Sequence, residues 1–150
     1  MKITFLGPAY PYRGGLATFN ERLARQLISE CKDVDIRTFK LQYPGFLFPG
    51  KTQLTDSPPP EDIKIVRELN SVNPLNWIRT GLKIKKERAD ILLVRYWIPF
   101  LAPCLGTVAR IARSNKYTVV VSIIDNVIPH EKRPGDSFLT RFFMKSIDGA

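Results

Sequence analysis

Two runs of almost uninterrupted apolar, β-forming residues, ILLVRYW at 91–97 and YTVVVSII at 117–124, restrict this chain more than anything else in it. A strand with one wet face alternates polar and apolar residues, whereas a run apolar at nearly every position suits a sheet covered on both faces. Residues 2–6 (KITFL) form a third such run and stop at Gly7-Pro8. Residues 34–39 (VDIRTF) alternate with a period of two and read as a further strand, and residues 63–66 as a short one. Between these runs the apolar residues recur at helical spacing: Leu16, Phe19, Leu23, Leu27 and Ile28, then Leu75, Ile78, Leu82 and Ile84. Leu105, Val108, Ala109 and Ile111 carry a third helical pattern, and Phe138, Leu139, Phe142, Phe143 and Ile147 a fourth. Asn73 is placed to cap the second helix with Pro74 at its first position, where a missing N–H does no harm, and Ser137 is placed to cap the last. Strands that alternate with helices in this way predict an α/β fold, a doubly wound parallel sheet with helices on both faces.

The chain has 150 residues, 44% of them hydrophobic and 25% charged, which fits one globular domain over 1–150 and excludes disorder. That length buries a core without a disulfide or metal staple. Cys31 and Cys104 are far apart with no CxxC and no adjacent His, so they read as small buried thiols in a reducing compartment. The apolar start is too short for a secretory signal, and Arg95 interrupts the best approach to the roughly 18 apolar residues of a spanning helix. A cytoplasmic protein is expected, with any membrane contact peripheral. The net charge of +9 argues for an anionic partner, and residues 76–150 hold most of it, with 13 basic against 6 acidic side chains. The stretch WIRTGLKIKKER at 77–88 places Arg79, Lys83, Lys85, Lys86 and Arg88 beside Trp77. That is the composition of an amphipathic segment lying on anionic lipid, and no nucleic-acid-binding module accompanies it.

Two segments at the ends of expected strands carry chemistry. Residues 7–18 (GPAYPYRGGLAT) join the first strand to the first helix, and Gly14 and Gly15 let backbone N–H groups at a helix start approach a phosphate. The spacing is neither GxGxxG nor a Walker loop, which argues against a nicotinamide or P-loop site. Residues 125–131 (DNVIPHE) follow the strand at 117–124 and hold the single His of the chain, His130, beside Glu131, with Asp125 as a second carboxylate. No metal-ligand spacing joins them. Residues 41–61 hold five prolines and two glycines and read as a long irregular loop. Asp148-Gly149-Ala150 stands where another strand is due, which gives the expectation that this is the N-terminal portion of a larger protein.

Taken in order, GPAYPYRGGLATFNERLARQL at 7–27, NPLNWIRTGLKIKKERADILLVRYWIPFLAP at 73–103 and DNVIPHE at 125–131 resemble the N-terminal domain of glycosyltransferase family 4, the retaining transferases of GT-B architecture. The resemblance implies a Rossmann-like N-terminal half that holds the acceptor, with a donor-binding C-terminal domain lying outside this chain. It implies an enzyme that moves a sugar from a nucleotide-sugar donor to a lipid-linked or polysaccharide acceptor, with the nucleotide sugar as co-substrate and no cofactor or obligatory metal. The displacement it implies is front-face, and this half alone is not expected to turn over. The resemblance assigns Gly14 and Gly15 to the donor diphosphate; Arg13 is expected at an anionic group of donor or acceptor, and Glu131 in the same binding set. Where the family commonly has His-Asn or His-Asp, this chain has Asp125-Asn126, so Asp125 and His130 are the residues expected to face the reacting sugar. A non-catalytic, flavodoxin-like module for a phosphorylated ligand is the alternative.

Overall fold

The computed structural model describes residues 1–30, 32–46, 54–126 and 133–150. Its elements run in the order β1 (Lys2–Leu6), α1 (Gly15–Ser29), β2 (Asp33–Leu41), β3 (Lys64–Asn70), α2 (Pro74–Glu87), β4 (Ile91–Tyr96), α3 (Ala102–Arg113), β5 (Val119–Ile124) and α4 (Asp136–Met144). A 3₁₀ turn, Pro99–Leu101, leads into α3. The five strands form one sheet in the order β3-β2-β1-β4-β5, every neighbouring pair parallel. This is the Rossmann-like α/β architecture that the alternation of strands and helices predicts.

Strand periodicity divides the core into two layers. Ile3 and Phe5 of β1 and Val34 and Ile36 of β2 point to one face, where Leu23, Ala24, Leu27 and Ile28 of α1 cover them. Leu6, Phe39, Leu92, Val94 and Tyr96 point to the other, under Ile84 of α2, Leu105, Val108 and Ala109 of α3 and Phe143 of α4. The Phe143 ring stacks on Tyr96 with centroids 4.2 Å apart. Helices therefore lie on both faces, and strands with no wet side account for the unbroken apolar runs.

Most local expectations hold, with two departures. Asn73 caps α2 by accepting from the amides of Leu75 and Asn76, with Pro74 in the first turn. The strand expected at 63–66 runs instead from Lys64 to Asn70, because β3 is an edge strand whose polar residues Arg67 and Glu68 are allowed beside the buried Leu69. Its pairing with β2 slips near Phe39, which further hides the period. The last helix starts at Asp136, with Gly135 rather than Ser137 in the capping position and in a left-handed conformation. Beyond α4 the chain returns to the outer edge of β5, where Asp148 N–H donates to Val120 O at 2.7 Å and Ser122 N–H to Gly149 O at 2.9 Å. Cys104 is buried, and burial raises its thiol pKa; Cys31 lies outside the described residues.

The layer under α2 also encloses a charge network. Arg37 of β2 donates through Nε to Asp35 at 2.6 Å, through Nη1 to Glu68 at 2.9 Å and through Nη2 to Glu87 at 2.5 Å, while its side chain is 3% exposed. Asp35 also accepts from Thr4 Oγ1, and Glu68 from Lys83. Burial pushes the Arg37 pKa down, and Glu68, Asp35 and Glu87 overcome that and raise it, so the guanidinium stays charged. Removing one partner of a buried ionic cluster leaves the others uncompensated. Arg37→Ala is therefore expected to cost about 3–5 kcal/mol, read as a lower urea midpoint. A change in that midpoint no larger than that of a surface substitution would contradict the buried cluster.

Candidate functional site

The strand order reverses between β1 and β4, since β1 connects outward to β2 on one side while β4 and β5 continue on the other. In open parallel sheets the ligand crevice lies at that point, outside the carboxyl ends of the strands. Three chain segments meet there: the turn after β1, the end of β4 and the residue after β5.

The turn from Gly7 to Gly14 is held through its own backbone groups, by both backbone and side-chain partners. Gly7 N–H donates to Arg37 O at 3.1 Å, Ala9 N–H to Thr38 Oγ1 at 3.1 Å, and Tyr10 N–H to Glu21 Oε1 at 2.7 Å. The peptide bond between Tyr10 and Pro11 is cis. The proline-rich connection after β2 closes over this turn, with Thr55 N–H donating to Pro11 O at 2.7 Å and Tyr12 bridging Leu54. Gly14 ends the turn at φ 114° and ψ 174°, a region essentially reserved for glycine. Helix α1 begins at Gly15 with no side-chain cap and no acidic residue in its first turn. Its first internal hydrogen bond runs from Thr18 N–H to Gly14 O, so the amides of Gly15, Leu16 and Ala17 have no partner within the helix. The partial positive charge of a helix start and these amides suit an anion. Arg13 is exposed on the same turn.

Opposite the turn, the carboxyl end of β4 presents Arg95, a residue only 7% exposed. Its Nε donates to Asp125 Oδ2 at 2.6 Å and its Nη2 to Asp125 Oδ1 at 2.5 Å. The fork holds a carboxylate bidentately, which fixes orientation as well as charge. Asp125 N–H donates to Tyr96 O at 3.0 Å, so its backbone continues the β4–β5 ladder beyond β5. Phe19 of α1 lies against the guanidinium, 4.5 Å from ring centroid to Cζ. Phe19 is one helical turn beyond Gly15, about 6 Å along the axis, which places the turn and the ion pair side by side. Gly7 passes so close to Arg95 that a Cβ there would lie 2.8 Å from Arg95 Cβ.

The structure thus brings Asp125 to the same end of the sheet as Gly14, Gly15 and Arg13. His130 and Glu131 lie outside the described residues. Sequence reasoning did not select Arg95, Phe19 or Asn20. Arg95 had one signal, a charge inside ILLVRYW, which a buried strand tolerates only when that charge is paired. Among the described residues no three His, Cys, Asp or Glu side chains gather as a metal set, and no helix is long and apolar enough to cross a membrane.

On α2, Arg79, Lys83 and Lys86 share an outward face with Leu75, Ile78 and Leu82, which are 77%, 44% and 52% exposed. Lys83 also pairs with Glu68 at 2.8 Å. Trp77 turns inward instead, its Nε1–H donating to Asn70 O at 2.6 Å. Arg88 leaves the face as well, ending α2 in a left-handed conformation over the Tyr117 ring, and Lys85 is half-buried.

The fold has a solved relative in shape. The UDP-GlcNAc 2-epimerase from Methanocaldococcus jannaschii superimposes on 98% of this chain with a TM-score of 0.56 and 12% sequence identity. The chain shares that enzyme's fold. It spans 38% of the epimerase's length. No protein-family profile and no curated protein sequence matches the chain.

The backbone at Gly14 supplies a sharp test. Gly14→Ala forces a Cβ into a glycine region and is expected to destabilise the chain by about 1–3 kcal/mol. Gly15→Ala meets no atom within 4 Å and is expected to be neutral within about 0.5 kcal/mol in the same urea titration. Equal losses at both positions would show that the turn is not held as described.

Proposed function

We propose that the chain is the N-terminal, acceptor-side half of a retaining glycosyltransferase of GT-B architecture, which moves a sugar from a nucleotide-sugar donor to a lipid-linked or polysaccharide acceptor. The observation that carries this reading is the uncapped start of α1 at Gly14-Gly15, set beside the Arg95–Asp125 pair where the strand order reverses. It joins the resemblance to glycosyltransferase family 4 in residues 7–27, 73–103 and 125–131. The shape shared with a sugar-nucleotide enzyme, over 38% of that enzyme's length, is consistent with a half of this kind.

In this reading the amides of Gly15, Leu16 and Ala17 stabilise the diphosphate as it leaves, and Arg13 adds charge at the same turn. Preorganised donors of that kind contribute strongly where charge develops in a transition state. Asp125, pinned by Arg95, is a fixed acceptor facing the reacting sugar, and His130 and Glu131 complete the set. No cofactor is invoked; the nucleotide sugar is a co-substrate. The test is to assay the protein at its full natural length against a panel of nucleotide sugars. Release of nucleoside diphosphate that depends on an added glycan or lipid-linked acceptor is expected, with Asp125→Asn slowing it about 100-fold or more, the scale of a lost polar contact in a transition state. Turnover without acceptor that only interconverts two nucleotide sugars would favour an epimerase, the activity of the shape relative.

The outward face of α2 is proposed as the contact with an anionic membrane that presents the acceptor. Leu75, Ile78 and Leu82 supply apolar area, and Arg79, Lys83 and Lys86 supply charge. Cosedimentation with anionic vesicles and not with neutral ones is expected. Arg79→Ala combined with Lys86→Ala should weaken it about 30-fold, at roughly 1 kcal/mol per basic residue. Equal binding to neutral vesicles would overturn the membrane assignment.

A further inference from the structure

Two arginines are buried in this sheet, and they differ in how fully they are satisfied. Arg37, under α2, gives each of Nε, Nη1 and Nη2 to a different carboxylate. Arg95, under α1, commits Nε and Nη2 to Asp125, and its Nη1 is buried without a hydrogen-bond partner among the described residues. Asn20 shows the same incompleteness. Its Nδ2 donates to Pro8 O at 2.8 Å, which fixes the amide's orientation and leaves Oδ1 as a buried acceptor without a partner among the described residues. Both side chains flank Gly7, where a Cβ would lie 2.8 Å from Arg95 Cβ and 3.2 Å from Asn20 Nδ2. Native proteins keep such unmet groups few, and here a donor and an acceptor belong to two side chains that flank Gly7 at the carboxyl end of β1.

Their chemistry narrows what fits. The Arg95–Asp125 pair sums to zero charge, and the Asp125 carboxylate beside the guanidinium disfavours a second anion. An oxyanion would satisfy Nη1 but not Asn20 Oδ1, which needs a hydrogen to accept. A hydroxyl both donates and accepts. We infer that Arg95 is a specificity-determining residue of the crevice, with Nη1 donating to a hydroxyl oxygen of a neutral sugar and Asn20 Oδ1 accepting a sugar hydroxyl's hydrogen. This rests on the proposal that the crevice takes a sugar, and it leaves phosphate to the Gly14-Gly15 turn. Phe19, 46% exposed and lying against the guanidinium, is the side chain that such a ligand displaces or stacks upon.

The test follows the Arg95 Nε–Hε signal of the ¹⁵N-labelled chain by NMR, assigned by its loss in Arg95→Lys. The probes are the methyl glycosides of glucose, mannose and N-acetylglucosamine and, separately, inorganic phosphate. At least one glycoside is expected to shift the Arg95 signal and the amides of Gly7 and Asp125 saturably, while phosphate leaves the Arg95 signal in place. In Arg95→Lys the glycoside affinity read at Gly7 should fall about tenfold, the loss of a hydrogen bond from a charged donor. The amides of α2 and α3 should keep their positions, as a check that the variant is folded. Saturable movement of the Arg95 signal by phosphate, no movement by any glycoside, or undiminished affinity in Arg95→Lys would each overturn the inference. Glycoside binding here in a protein that releases no nucleoside diphosphate would overturn the proposed transfer and leave the inference standing.

Discussion

Everything functional in this chain follows from a parallel sheet whose order reverses beside its first strand. Parallel strands need crossover connections, which here put helices on both faces, so the central strands are buried on both sides and the charges they carry, Asp35, Arg37 and Arg95, are paired. The order β3-β2-β1-β4-β5 sends the chain to opposite sides of β1. The helices on the two faces part there, and the carboxyl ends of β1 and β4 open between them. Backbone amides at the start of α1 and the polar side chains at the ends of β4 and β5 are left facing that gap.

Two charge systems occupy the two faces and serve different ends. The Arg37 cluster joins β2, β3 and α2 under one helix layer, with Lys83 completing it at the surface. Each nitrogen of that guanidinium has its own carboxylate. The Arg95–Asp125 pair joins β4 to the residue after β5 on the other face and leaves Arg95 Nη1 without a hydrogen-bond partner among the described residues. A fully satisfied buried network rigidifies how elements pack, whereas a buried polar group left unpaired is costly, and the inferred sugar contact rests on that difference. The backbone makes room for the second system, since Gly7 must lack a Cβ for Arg95 to pass it.

Much of this was legible in the residues. Apolar runs at 2–6, 91–97 and 117–124 located three strands, and Asn73-Pro74 located the start of α2, because both depend on local periodicity and capping. The glycine turn was legible as the connection from β1 to α1, and Gly14 does adopt the conformation only glycine favours. The extent of β3 was hidden because an edge strand with a register slip loses its period. Arg95 was visible only as an interruption of a strand, since its partner lies 30 residues away and pairing across parallel strands has no sequence signature. Trp77 looked like part of the basic face of α2, yet its indole N–H finds a backbone carbonyl inward, a choice that depends on the tertiary position of Asn70.

A nucleotide sugar received in the gap between β1 and β4 is what the proposed transfer requires above all. Chemical-shift mapping of the ¹⁵N-labelled protein at its full natural length with a panel of nucleotide sugars tests it most directly. The largest shifts are predicted to fall on Gly15, Leu16 and Ala17 and on Arg95 and Asp125. Shifts centred instead on the separate groove of about 330 Å³ lined by Tyr10, Pro11, Pro60, Ile65 and Arg67, or no shifts at all, would contradict it.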